Sequence, residues 1–170
     1  MSDAAKPELF FDSSALFAGV ASSTGAGRAL LQLGEAWAVA ITVSEQVVTE
    51  TERSLARRAP AALPFFRQTL RASHIRIVND PASAEVQAAR GFIAHEADVP
   101  ILVAAMKVKT GFVVTLNRRH FIEDPLVAQR SGLRIGTPGD ALAWVRSKLL
   151  SAGSVSRAHP AEADPASTIQ

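Results

Sequence analysis

No cysteine occurs among the 170 residues, which excludes a disulfide frame and any thiolate metal site. No apolar stretch approaches the roughly 18 uninterrupted residues of a membrane-spanning helix. The opening Met1-Ser2-Asp3-Ala4-Ala5-Lys6-Pro7 lacks the basic patch and apolar stretch of a secretory signal. Ser23-Thr24-Gly25-Ala26-Gly27 has neither the Lys-Ser/Thr of a P-loop nor the third glycine of a dinucleotide fingerprint. There is no Gly-x-Ser-x-Gly elbow, and His74, His95, His120 and His159 have no zinc-ligand spacing. The expectation is a soluble cytoplasmic protein with no membrane partner.

What is present begins with length. A chain of this size is one ordinary domain with a sizeable core, and 48% of its residues are apolar. The formal net charge is only +2, but the basic residues are fourteen arginines against four lysines. Arg53, Arg57, Arg58, Arg67 and Arg71 fall in one stretch. Arginine forks suit phosphate geometry, although on charge alone a solvated helical face is the reading to prefer.

Apolar, strand-like runs at Leu9–Phe11, Ala38–Ile41, His74–Val78, Phe112–Leu116 and, more weakly, Leu133–Ile135 alternate with helical patterns. The helical patterns lie near 14–20, 26–36, 44–58, 61–72, 83–96, 99–109 and 139–150. Such alternation predicts an α/β fold, a three-layer α/β/α sandwich around a mainly parallel sheet of four or five strands. Thr42-Val43-Ser44-Glu45 reads as a capping box with Thr42 as the cap, and Thr137-Pro138 opens another helix. The expected domain is 8–150, between a disordered lead at 1–7 and a disordered tail at 151–170 rich in Ala, Ser and Pro.

Carboxylates form the one chemical cluster on offer. Leu9-Phe10-Phe11 suits a strand buried on both faces, and Asp12 at its carboxyl end falls where open α/β sheets place ligand crevices. A bland role for Asp12 is capping the next helix, which Ser13 or Ser14 can also do. Glu50 borders the helical stripe Val47, Val48, Thr51 and Leu55; its bland role is a surface ion pair with Arg53. Asp98 precedes Val99-Pro100 and reads as a helix cap. Asn117, after Thr115-Leu116, reads as a turn residue.

Taken in order, these segments resemble PIN-domain ribonucleases, the fold of VapC-type toxins. Phe10-Phe11-Asp12-Ser13-Ser14-Ala15-Leu16 is similar to the family's opening motif. Ser44 followed six residues later by Glu50 is similar to its second, Asp98 leading into Ile101-Leu102-Val103-Ala104 to its third, and Thr115-Leu116-Asn117 with Phe121 to its fourth. The likeness spans roughly 8–146. Many members carry a fourth acid at the position of Asn117 or of His120, and this chain has none there.

The resemblance implies Mg²⁺- or Mn²⁺-dependent hydrolysis of RNA. Asp12, Glu50, Asp98 and Asn117 would form the catalytic set, Asp12 and Asp98 the metal ligands, and Ser14 and Thr115 polar support. It also implies an antitoxin partner, as in a type II toxin–antitoxin pair, and a homodimer. The competing expectation, favoured by the missing acid, is a PIN-like domain that binds RNA or protein without cutting. A phosphatase reading built on Asp12 lacks the second acid of Asp-x-Asp, since position 14 is serine.

Overall fold

A computed structural model describes residues 6–156. Five strands form one all-parallel sheet: β1 (Glu8–Phe11), β2 (Ala40–Ser44), β3 (Arg76–Val78), β4 (Phe112–Val114) and β5 (Ile135–Gly136), in spatial order β3-β2-β1-β4-β5. The helices between them are α1 (Ser13–Ala21), α2 (Ala26–Glu35), α3 (Glu45–Arg58), α4 (Leu63–Ala72), α5 (Ser83–Ala88), α6 (Val99–Lys107), α7 (Pro125–Ser131) and α8 (Pro138–Ser156). This is the expected three-layer α/β/α sandwich. Among the described residues, no helix is long and apolar enough to cross a membrane.

Strand β1 is the centre of the sheet and is covered on both faces. Phe10 and Phe11 have no exposed surface and Leu9 has 1%. Each such side chain contributes about 1.5–3 kcal/mol by leaving water. The flanking β4 (Phe-Val-Val) is equally buried, as a parallel sheet between helical layers requires. The chain runs outward from β1 to β2 and β3, then returns to the other side of β1 for β4 and β5. Strand order therefore reverses between β1 and β4, the place where parallel sheets open a crevice at their carboxyl ends.

Several boundaries differ from the sequence expectation, each for a physical reason. Strand β2 lies later than Ala38–Ile41 and takes in Thr42 and Ser44. Thr42 pairs with Phe10 and Arg76 in the sheet, and its Oγ1 accepts from Arg76 Nε at 3.2 Å. It therefore does not cap α3; Ser44 does, its Oγ accepting from Val47 N–H. The helix expected over 83–96 ends at Ala88. Val86, Ala89 and Ile93 keep helix-like spacing and are wholly or partly buried, but Gly91 adopts φ +83° and the segment loops. Helix α7 lies where the apolar pattern predicts no element; it is capped by Asp124, whose Oδ1 accepts from Leu126 N–H.

The ends also differ. Pro7 is buried and its carbonyl accepts from Ala40 N–H, so residues 6 and 7 belong to the fold. Helix α8 continues through Ser156 into the expected tail; residues 1–5 and 157–170 lie outside the described residues. The Thr137-Pro138 helix start is as expected, with Asp140 Oδ2 accepting from Thr137 N–H at 2.9 Å.

The helical layer on the β2 side closes at Gly34, in the last turn of α2. A Cβ there would stand 2.8 Å from the Ser73 carbonyl oxygen, a backbone atom that cannot step aside. Gly34→Ala is expected to lower stability by about 1–3 kcal/mol, read as a shift in urea midpoint with an unchanged m-value.

Candidate active site at the β1–β4 edge

Asp12 follows β1 directly, and its backbone N–H continues the ladder by donating to Val114 O at 3.0 Å. The carboxylate is only 3% exposed. Oδ1 accepts from Ala15 N–H at 2.8 Å and from Ser14 Oγ at 2.7 Å, so Asp12 does cap α1. Oδ2 accepts from Thr115 Oγ1 at 2.5 Å, across from the end of β4. Capping thus occupies one oxygen and leaves the other turned toward the β4 loop.

That loop joins the two aspartates. Ser14 Oγ accepts from Leu116 N–H (2.8 Å) and Thr115 Oγ1 accepts from Asn117 N–H (2.9 Å). Asn117 Nδ2 then donates to Asp98 Oδ2 at 3.2 Å, while its Oδ1 accepts from His120 N–H at 3.3 Å. Ser14 and Thr115 each hydrogen-bond the Asp12 carboxylate, and Asn117 bonds Thr115 through its backbone and Asp98 through its side chain.

Asp98 overturns its bland reading. It stands at the start of α6, but its side chain makes no capping hydrogen bond. Instead Oδ2 lies 2.9 Å from His120 Nδ1 and 3.2 Å from His95 Nδ1. The two imidazoles stack with centroids 4.4 Å apart and planes 14° from parallel. His95, Asp98 and His120 each offer a ligand atom within 4.8 Å of the others. Sequence spacing gave no warning of this, because the histidines are 25 residues apart in the chain and meet only through the fold. The available signal was the place of His120 three residues after Asn117.

Glu50 approaches from α3. Thr51 Oγ1 donates to the Ser13 carbonyl at 3.4 Å, holding this helix against the start of α1. The ion pair expected with Arg53 is replaced by another partner. Gln46 Nε2 donates to Glu50 Oε1 at 2.8 Å and to the carbonyl of Ala97 at 3.1 Å, one residue before Asp98. Gln46 is itself fixed by Asp80, beyond β3, which accepts from its backbone N–H at 2.8 Å. Glu50 is therefore one side chain removed from the Asp98 segment. It lines an open recess with Ser13, Arg53 and Arg57.

Burial pushes the Asp12 carboxyl up from 3.8 to about 6; the hydrogen bonds from Thr115, Ala15 and Ser14 oppose this rise, and the charge of Asp98 adds to it. The folded protein thus holds this proton more tightly than the unfolded chain. Between about pH 4 and 6 the folded state carries more protons, so stability falls as pH rises through that window and stays lower above it. The shift corresponds to about 3 kcal/mol. In EDTA, wild type is expected to lose stability over this window relative to Asp12→Asn, and the variant to melt higher at pH 7.5. Equal pH profiles for the two proteins would show that Asp12 carries no such cost.

No protein-family model and no curated protein matches the chain. Among solved structures it is similar to the crystal structure of PAE2754 from Pyrobaculum aerophilum, with a TM-score of 0.59 and 16% identity, over 83% of this chain and 90% of that one. At that identity the likeness shows the fold alone.

Proposed function

We propose that the protein is a Mg²⁺- or Mn²⁺-dependent endoribonuclease of the PIN-domain kind, acting as the toxin of a type II toxin–antitoxin pair. The observation that carries this reading is the buried Asp12 carboxylate at the point where strand order reverses, linked through Thr115 and Asn117 to Asp98. A buried carboxylate beside a second acidic side chain is a poor arrangement in a bare protein and a good one around a cation.

The donor set fits a hard ion. Asp12 Oδ1 accepts two hydrogen bonds and Oδ2 one, which leaves a lone pair on Oδ2. Asp12 and Asp98 would hold the ion, a hard cation that prefers oxygen ligands. Bound there, it supplies Lewis acidity toward a phosphoryl oxygen and a lower pKa for water.

The chain's own groups do the rest. Ser14, Ala15 N–H and Thr115 fix the Asp12 carboxylate, and Asn117 holds that of Asp98. Glu50, kept in place by Gln46, orients the attacking water and takes its proton. Arg53 and Arg57, in the same recess as Glu50, hold flanking phosphates without reading bases. A partner antitoxin would place a basic group against the acidic crevice, and a homodimer would set two such crevices in one particle.

The test is cleavage of a broad RNA panel with Mg²⁺ or Mn²⁺ against EDTA. Asp12→Asn and Asp98→Asn should each abolish cleavage while the far-UV spectrum is unchanged, and Glu50→Gln should lower kcat by about 10²–10⁴-fold. Arg53→Ala with Arg57→Ala should raise KM and flatten its salt dependence, leaving kcat nearly unchanged. An Asp12→Asn protein that cleaves like wild type, or a wild type inert toward every RNA, would remove the proposal in favour of a domain that binds without cutting.

A further inference from the structure

The cluster of His95, Asp98 and His120 is more than the polar lining of a magnesium site. One carboxylate oxygen, Asp98 Oδ2, lies within 2.9–3.2 Å of three nitrogens: His120 Nδ1, His95 Nδ1 and Asn117 Nδ2. An ionised carboxylate oxygen offers about two lone pairs, so three donors would compete for them. Asn117 adds a second constraint. Its Oδ1 accepts from the His120 backbone N–H, which turns its NH₂ group toward His120 Nδ1 at 3.1 Å. His120 Nδ1 thus faces an amide donor at 3.1 Å and a carboxylate acceptor at 2.9 Å, and no single tautomer satisfies both. A cation between Nδ1 and Asp98 Oδ2 would bond to both atoms.

The spacing suits a first-row transition ion. Nitrogen and oxygen ligands about 2.0–2.1 Å from such an ion stand roughly 2.9 Å apart around an octahedron and roughly 3.4 Å apart around a tetrahedron. The separations of 2.9 and 3.2 Å from Asp98 Oδ2 to the two ring nitrogens fall in that range. Both Nδ1 atoms approach the same oxygen, and because the rings are stacked and nearly parallel, the more exposed His95 turns for both in-plane lone pairs to meet one ion. His95 is half exposed and His120 a quarter exposed, so an ion can enter from solvent and water can fill the open positions.

We infer that His95, Asp98 and His120 form a site for a zinc-class divalent transition ion, built from two imidazoles and one carboxylate and selective against magnesium. Imidazole nitrogen suits Zn²⁺, Ni²⁺, Cu²⁺ and Fe²⁺, whereas Mg²⁺ demands oxygen ligands. The site shares Asp98 with the magnesium position proposed above but needs neither Asp12 nor Glu50. It therefore stands whether or not the protein cuts RNA.

The test uses the full chain, stripped of metal, in calorimetric titrations with Zn²⁺ in the presence of millimolar Mg²⁺. Wild type should bind one ion with micromolar or tighter affinity that added Mg²⁺ does not displace. His120→Gln and His95→Ala should each weaken binding at least ~10-fold, and the double variant should abolish it, with melting curves confirming that both fold. Co²⁺ should give visible absorption bands in wild type that the double variant lacks. Asp12→Asn should bind zinc as wild type does while failing to cleave RNA, which separates this site from the nuclease reading. Zinc binding to the double variant as tight as to wild type, or displacement of zinc by equimolar magnesium, would overturn the inference and leave an ordinary hydrogen-bonded Asp–His cluster.

Discussion

A carboxylate buried at the carboxyl end of the central strand is the constraint around which the rest of this crevice is arranged. Asp12 cannot leave: its backbone is part of the β1–β4 ladder, and its Oδ1 caps α1. Nor is it comfortable, because burial raises its affinity for a proton to a pKa of about 6. Three hydrogen bonds reduce that cost without removing it. An evolved fold that keeps an uncomfortable charge at a sheet switch point is consistent with a role for that charge in function.

The β4 loop converts this single constraint into a site with two halves. Thr115 and Leu116 bind the Asp12 side, and Asn117 binds the Asp98 side, so three consecutive residues set the spacing between the aspartates. The halves differ in chemistry. The Asp12 half offers oxygen alone, from carboxylate and hydroxyl, and is the more buried. The Asp98 half carries two imidazoles and is more open. With Asn117 and His120 beside Asp98, the crevice offers nitrogen as well as oxygen to a ligand.

Much of this was legible in the chain itself. Leu9-Phe10-Phe11 announced a strand buried on both faces, and Phe112-Val113-Val114 announced its neighbour, so the layer architecture and the position of Asp12 followed from apolar pattern. Polar strand ends were less legible: Thr42 and Ser44 are both good caps, and only pairing with Phe10 and Arg76 decides that Thr42 stays in the sheet. Val86, Ala89 and Ile93 mimic a helical stripe in a segment that loops at Gly91. Helix α7 is short and rests on its Asp124 cap. His95 carries no local signal and His120 only its place three residues after Asn117, because their meeting depends on the length of α6 and the turn after β4. Local pattern tells which residues can do chemistry, and tertiary contact alone tells which of them meet.

The central claim is that Asp12 and Asp98 share one oxygen-seeking cation across the β1–β4 edge. An anomalous-scattering map from crystals soaked in Mn²⁺ tests it most directly. A manganese peak within ligand distance of carboxylate oxygens from both residues is the expected result. Manganese found only at the His95–His120 pair or on the outer surface, with Asp12 still bound solely by Ser14, Ala15 and Thr115, would contradict it.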